Sequence, residues 1–249
     1  VAMDKFNEHL SAKGIVFACS MYNIQHTVTP VNGKLQVKLE CERPDVEIRY
    51  TMDGKEPTDR SLLYKSPLMV TGTQTIKCTT YRAGRQMGKT LTLPLVWNKA
   101  TAKPVLGNTQ AGKILVNGIR GSLRQSDFEW HSWESSDSVA FTIDLQKKES
   151  LRSVSVGCIT NYGMAAHKPA DIEVWVSNDN RDYRKVSGKQ FTDGEIFREG
   201  TFKEDVVLDL NKKIGRYVRI IAKGAGECPA THVRPGQEAR IYFDEVMIE

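Results

Sequence analysis

"SVAFTIDL", residues 138–145, sets Val139, Phe141, Ile143 and Leu145 on one face and small or polar residues on the other. A strict period of two over this length is the signature of a half-buried β-strand. The alternation recurs downstream: "LRSVSVGC" (151–158) aligns Val154, Val156 and Cys158, and "DIEVWVSND" (171–179) aligns Ile172, Val174 and Val176. "DVVLDL" (205–210), "RYVRIIA" (216–222) and "ARIYFDEVMIE" (239–249) bring the number of such runs to six. Long connections rather than tight hairpins separate them, which predicts a jelly-roll-like sandwich whose loops carry function.

Upstream the period is also two. "KLQVKLECE" (34–42) alternates polar and apolar, and "VEIRYTMDGKEPT" (46–58) runs a strand into Asp53-Gly54, a strong turn signal. "QTIKCTTYRAG" (74–84) and "TLTLPLVW" (90–97) add strands, the latter with Pro94 at an edge or strand end. No helical pattern intervenes, so a small antiparallel sandwich is expected. "WNKATAKPVLGNTQAGK" (97–113) is aperiodic and rich in Ala, Thr, Asn, Gly and Pro, the natural boundary near residue 100. At the other end, Asp4 is placed to cap a short helix carrying Phe6 and Leu10 and ended by Gly14. The fold class expected is therefore all-β: two consecutive sandwiches over 25–100 and 101–249, with 1–24 the remnant of a preceding domain and a linker.

Composition narrows the partners. Residues 1–100 carry 14 Lys and Arg against 9 Asp and Glu, and the remainder 21 against 21, so no basic stripe favours nucleic acid. The longest uncharged run, Gly14 to Gly33, contains Asn, Gln, Thr and Pro and is too polar to insert in a membrane. The chain opens on Val1, which reads as a piece of something longer. Five cysteines (Cys19, Cys41, Cys78, Cys158, Cys228) lack a CxxC spacing and argue against a zinc site or a disulfide scaffold. Cys41 and Cys78 fall on core-facing positions; a bridge is open to them, but free buried thiols are favoured.

Polar and aromatic residues gather in three loop stretches: "SDFEWHSWES" (126–135), "TNYGMAAHKPAD" (160–171) and "GAGECPATHVRPGQ" (224–237). Each holds one of the chain's five histidines: His131, His167 and His232. No local motif supports a nucleophile–base pair. Asp244 and Glu245 are neighbours on one strand and point to opposite faces, so they cannot flank one bond. Cys228 and His232 supply only two metal ligands. Sugar recognition fits better, because it asks for a ring to stack on the C–H face and polar groups for the hydroxyls. Against it stands the plain alternative that Trp130 is core and His131 caps a loop; residue type alone balances the two.

The ordered set "LVNGIRGSLRQSDFEWHSWES…VAFTIDL…IEVWVSNDNRDYRKV…RYVRIIA…FDEVMI" resembles the discoidin-like (coagulation factor V/VIII C-type) domain, and within it the family 32 carbohydrate-binding modules, over about residues 103–249. The resemblance implies that Trp130 packs and His131 bonds a sugar, with Trp133 open. It extends the candidate carbohydrate site to Tyr162, His167, His232 and Arg234. The family's loop arginine has no match in "NYGMAAHKPA", so His167 or Lys168 is the candidate substitute. A structural Ca²⁺ is implied at Asn117, Ser122 and Glu245, although Asn117 stands where the family has Asp. "VEIRYTMDGKEPTDRSLLYKSPLMVTGTQTIKCTTYRAG" resembles the Ig-like C-terminal domain of chitobiases and β-hexosaminidases over about 30–95, with Tyr50 and Tyr64 packing across the Asp53-Gly54 turn. "FNEHLSAKGIVF" resembles the last barrel helix of family 20 glycoside hydrolases.

Together these resemblances imply a non-catalytic accessory part of a secreted β-N-acetylhexosaminidase. Its partners would be terminal galactose or N-acetylhexosamine glycans and its own catalytic domain. Two rivals are a brace for that domain without sugar binding and a protein-binding adhesion module.

Overall fold

The computed structural model describes residues 20–108, 110–133 and 138–249. The expected helix around Phe6 and Leu10, and Cys19, lie outside the described residues. Strand takes 53% of the residues and helix 6%, so the chain is all-β. Contacts separate two compact units. One takes in the described residues through Thr27 with Val37–Leu68 and Gln74–Pro94; the other takes in Val28–Gln36, Met69–Thr73 and Leu95–Glu249.

The first strands are β1 (Gln25–Val31), β2 (Lys34–Glu40), β3 (Glu47–Thr51), β4 (Leu62–Leu63), β5 (Leu68–Val70), β6 (Gln74–Arg82), β7 (Arg85–Gln86) and β8 (Leu91–Leu95). They form a three-stranded sheet ordered β1-β2-β5 and a five-stranded sheet ordered β4-β3-β6-β7 with β8 also on β6. Alternation in β2 buries Leu35, Val37 and Leu39, as the period requires. Gly54 turns the chain at φ 77°, a conformation that costs a side chain energy and glycine nothing. Tyr64 accepts the Leu39 N–H at 3.1 Å through its hydroxyl. Cys41 and Cys78 are both free, and Cys41 donates to the Met21 carbonyl.

The second unit contains β9 (Val105–Leu106), α1 (Ala111–Ile114), β10 (His131–Trp133), β11 (Ser138–Asn161), β12 (Asp171–Ser177), β13 (Arg184–Gln190), α2 (Asp193–Ile196), β14 (Thr201–Lys223) and β15 (Ile241–Ile248). Strand order is β10-β15-β11-β14-β12-β13, with β9 on β11. The expected pairs 138–145 with 151–158, and 205–210 with 216–222, are each one long bent strand. β11 and β14 pair over Ser138–Asp144 with Tyr217–Lys223, and again over Ser153–Asn161 with Thr201–Asp209, with the register broken between. β15 joins only the later stretch of β11, and β12 only the later stretch of β14. The sheet thus folds over on itself, and both halves turn their apolar faces to one core around Phe141, Ile143, Val156, Leu208, Ile220 and Phe243. Each such side chain removed from water stabilises the fold by roughly 1.5–3 kcal/mol.

The bend has local causes. Gln146, Asn211 and Lys212 take positive φ, and Asp144 and Asp209 accept the N–H two residues on. Arg216 clamps Asp144 with two bonds of 2.8 and 2.9 Å, which holds the carboxyl below its usual range. "HSW", expected in a loop, is instead strand β10, because its backbone pairs with β15.

Candidate functional site

Three loops meet at one end of the second unit. The first follows β11, where Asn161 and Ala166 exchange backbone bonds around a short turn containing Tyr162. The second holds α2, whose start is fixed by Glu195: its carboxylate accepts both the N–H and the hydroxyl of Thr192. The third, 224–240, is tied to the first by Arg240 N–H donating to Ala165 and His167 N–H donating to the Arg240 carbonyl.

These ties bring Tyr162, His167, Phe197, His232 and Arg234 together. His167 and His232 are 1% and 4% exposed. Their Nε2 atoms lie 3.2 Å apart. His167 Nδ1 is 3.0 Å from the Ile196 carbonyl and must carry the proton to bond it, and His232 Nδ1 accepts the Arg234 N–H. One tautomer set satisfies all three contacts, with His232 Nε2–H donating to His167 Nε2. Burial drives His167 down to about 4 and lowers His232, so both rings are neutral at pH 7. The Tyr162 ring lies 3.9 Å from that of His232, and Phe197 meets His167 edge-on at 5.0 Å. Arg234 lies exposed at the edge, its guanidinium donating to the Gly163 carbonyl at 2.5 Å and to Gln237 at 3.2 Å.

The expectation that His167 and His232 bond a sugar is therefore corrected: every ring nitrogen is spent inside the protein, whereas Tyr162 and Phe197 are partly exposed and Arg234 is exposed. Lys168 is corrected likewise, since its buried ammonium pairs with Glu204 at 2.6 Å and lies over the Phe191 ring.

His131 and Trp133 stand on β10, opposite Phe243 and Ile241. Trp133 stacks on Phe141 at 6.1 Å and meets Phe243 edge-on at 5.2 Å, so it packs on the core. His131 sits edge-on against Trp133 at 4.5 Å, half-buried, with Nε2 3.5 Å from Asn108 Nδ2. Burial lowers its pKa. Trp130 is buried, and its indole N–H donates to the Ser122 carbonyl at 3.0 Å.

Asn117 and Glu245 converge on the turn at Gly118. Asn117 Oδ1 accepts the Ile119 N–H, and Glu245 Oε2 accepts the Gly118 N–H at 3.0 Å. Glu245 is fully buried, its Oε1 makes no well-formed hydrogen bond, and burial pushes its carboxyl well above the usual range. Ser122 does not join them. Its hydroxyl accepts the Arg124 N–H, and the carboxylate beside Asn117 is that of Glu129, at 2.7 Å.

Residues 29–92 match the chitobiase/β-hexosaminidase C-terminal domain, and residues 99–234 match the F5/8 type C domain. The second match spans more than half of the chain. The chain belongs to the F5/8 type C family. No curated protein matches it. Among solved structures it is similar to a family 32 carbohydrate-binding module from Clostridium perfringens (18% identity, 59% of this chain and 90% of that one, TM-score 0.36). It is also similar to a second such module from that organism, solved with GalNAc-β-1,3-galactose (15%, 57% and 86%, TM-score 0.38). A third is the C-terminal domain of a chitobiase from Bacteroides fragilis (10%, 53% and 76%, TM-score 0.32).

One contributor to the F5/8 type C end loops, Phe197, escaped the sequence reading, and another, Cys228, was read in part. Phe197 belongs to "TDGEIFREG", which holds no histidine and no cluster of aromatic residues; the Thr192-x-x-Glu195 cap was its legible signal. Cys228 was read as half of a two-ligand pair, because His167, 61 positions earlier, gives no local sign of lying beside it.

Proposed function

We propose that the F5/8 type C domain is a carbohydrate-binding accessory module. In this reading it serves a secreted β-N-acetylhexosaminidase by holding that enzyme near terminal galactose or N-acetylhexosamine residues, weak affinity per site being offset by tethering. The observation that carries it is the Tyr162–Arg234 rim: a half-buried ring backed by His232, beside an exposed guanidinium held in place by Gly163 and Gln237. A sugar needs this pairing of an apolar face with fixed donors. His131 supplies a second polar edge on β10.

Titration calorimetry with galactose, N-acetylgalactosamine and N-acetylglucosamine tests it. Saturable millimolar binding is expected, weakened about tenfold by Tyr162→Ala or Arg234→Ala, the loss of one stacking or charged contact. Absence of binding to all three sugars overturns the reading and favours the role of a brace, with pull-down of a protein partner insensitive to free sugar marking an adhesion module instead.

The domain also offers a place for Ca²⁺. Glu245, with a buried oxygen that makes no well-formed hydrogen bond, and the amide oxygen of Asn117 are hard donors suited to that ion, which would supply countercharge.

A further inference from the structure

We propose that His167, Cys228 and His232 form a transition-metal site that takes Zn²⁺ through the two Nε2 atoms and Cys228 Sγ. The three ligand atoms lie within 4.8 Å of one another, and all three residues are buried. The Nε2–Nε2 separation of 3.2 Å is close to the edge, about 3.3 Å, of a tetrahedron with Zn–N bonds of about 2.0–2.1 Å. A Zn–S bond of about 2.3 Å sets a nitrogen–sulfur edge of about 3.6 Å, so the sulfur has to move in by no more than about 1.2 Å. Two imidazoles and a thiolate are donors that select zinc over calcium or magnesium. His167 already carries the outer bond such a site requires: Nδ1–H to the Ile196 carbonyl fixes the ring and turns the Nε2 lone pair inward.

The protons balance. On binding, the Cys228 thiol proton leaves to solvent. The proton that His232 Nε2 shares with His167 is displaced to His232 Nδ1. The Arg234 N–H then gives up its bond to Nδ1 and turns away, so metal binding remodels the 232–234 turn. A water completes the fourth position. The ion would tie the loop after β11 to the 224–240 loop beneath the Tyr162–Arg234 rim and stabilise the fold by mass action.

Chelator-treated protein titrated with Co²⁺ and then Zn²⁺, without sugar, tests the site independently of the glycan reading. The expected result is one equivalent of Co²⁺ with a thiolate-to-metal charge-transfer band, displaced by Zn²⁺, and an Arg234 amide resonance that shifts. Cys228→Ser abolishes the band and His167→Gln weakens binding at least about tenfold, while Cys41→Ser changes neither. A wild-type protein without that band overturns the proposal, even if the Cys228 variant does not fold. So does a Cys41→Ser protein that loses it.

Discussion

At the scale of single residues, small side chains mark where groups approach most closely. A methyl on Gly157 would overlap Asp244 Oδ1 and crowd Arg120, whose guanidinium bonds that buried carboxylate at 2.9 Å. Gly157→Ala should therefore cost about 1–3 kcal/mol, read as a lower denaturant midpoint. His131 illustrates a charge effect. Its folded pKa lies below the ordinary 6.5 because burial disfavours the imidazolium. The stability this supplies is complete above about pH 6.5 and is lost as pH falls through the folded value. Between about pH 7.5 and about pH 4.5, on either side of the ordinary imidazole value, the denaturant midpoint of His131→Gln should fall less than that of wild type. Residue type left Trp130 balanced between core and loop, and only the family resemblance implied the packing that its burial shows. Trp133 was left open, because only its stacking on Phe141 distinguishes a core ring from a binding platform.

At the scale of elements, the period-two pattern located the strands well and their ends poorly. The pattern in 138–145 and 151–158 is real, yet one bent strand carries both. Backbone pairing to β14 continues on either side of the break, whereas hydrophobic alternation stops at the polar bend. β10 was missed for the opposite reason: three residues among polar neighbours are too short a run to show a period, and pairing with β15 alone makes them strand. In the first unit, Tyr64 was expected to pack across the Asp53-Gly54 turn; its hydroxyl instead accepts from the backbone of β2. Tyr64→Phe removes the acceptor of the Leu39 N–H and should lower stability by about 1–3 kcal/mol in chemical denaturation.

At the scale of the whole molecule, a fully buried carboxylate with an oxygen that makes no well-formed hydrogen bond is a liability unless a cation or a proton meets it. If Ca²⁺ fills that role at Glu245, millimolar CaCl₂ should raise the melting temperature over chelator, and Glu245→Gln should erase the difference; an equal melting temperature in both would discard the ion. The all-β class, the two successive sandwiches and the crowding of polar and aromatic residues into three loops were determined by the sequence itself. Strand alternation and turn chemistry act between residues a few positions apart, so they are written locally. Which of those loop residues face water was decided only by the tertiary structure. The bond from His167 to Ile196 spans 29 positions and that to His232 spans 65. Whether a ring nitrogen is free for a ligand depends on which distant segment the folded-over sheet returns to it.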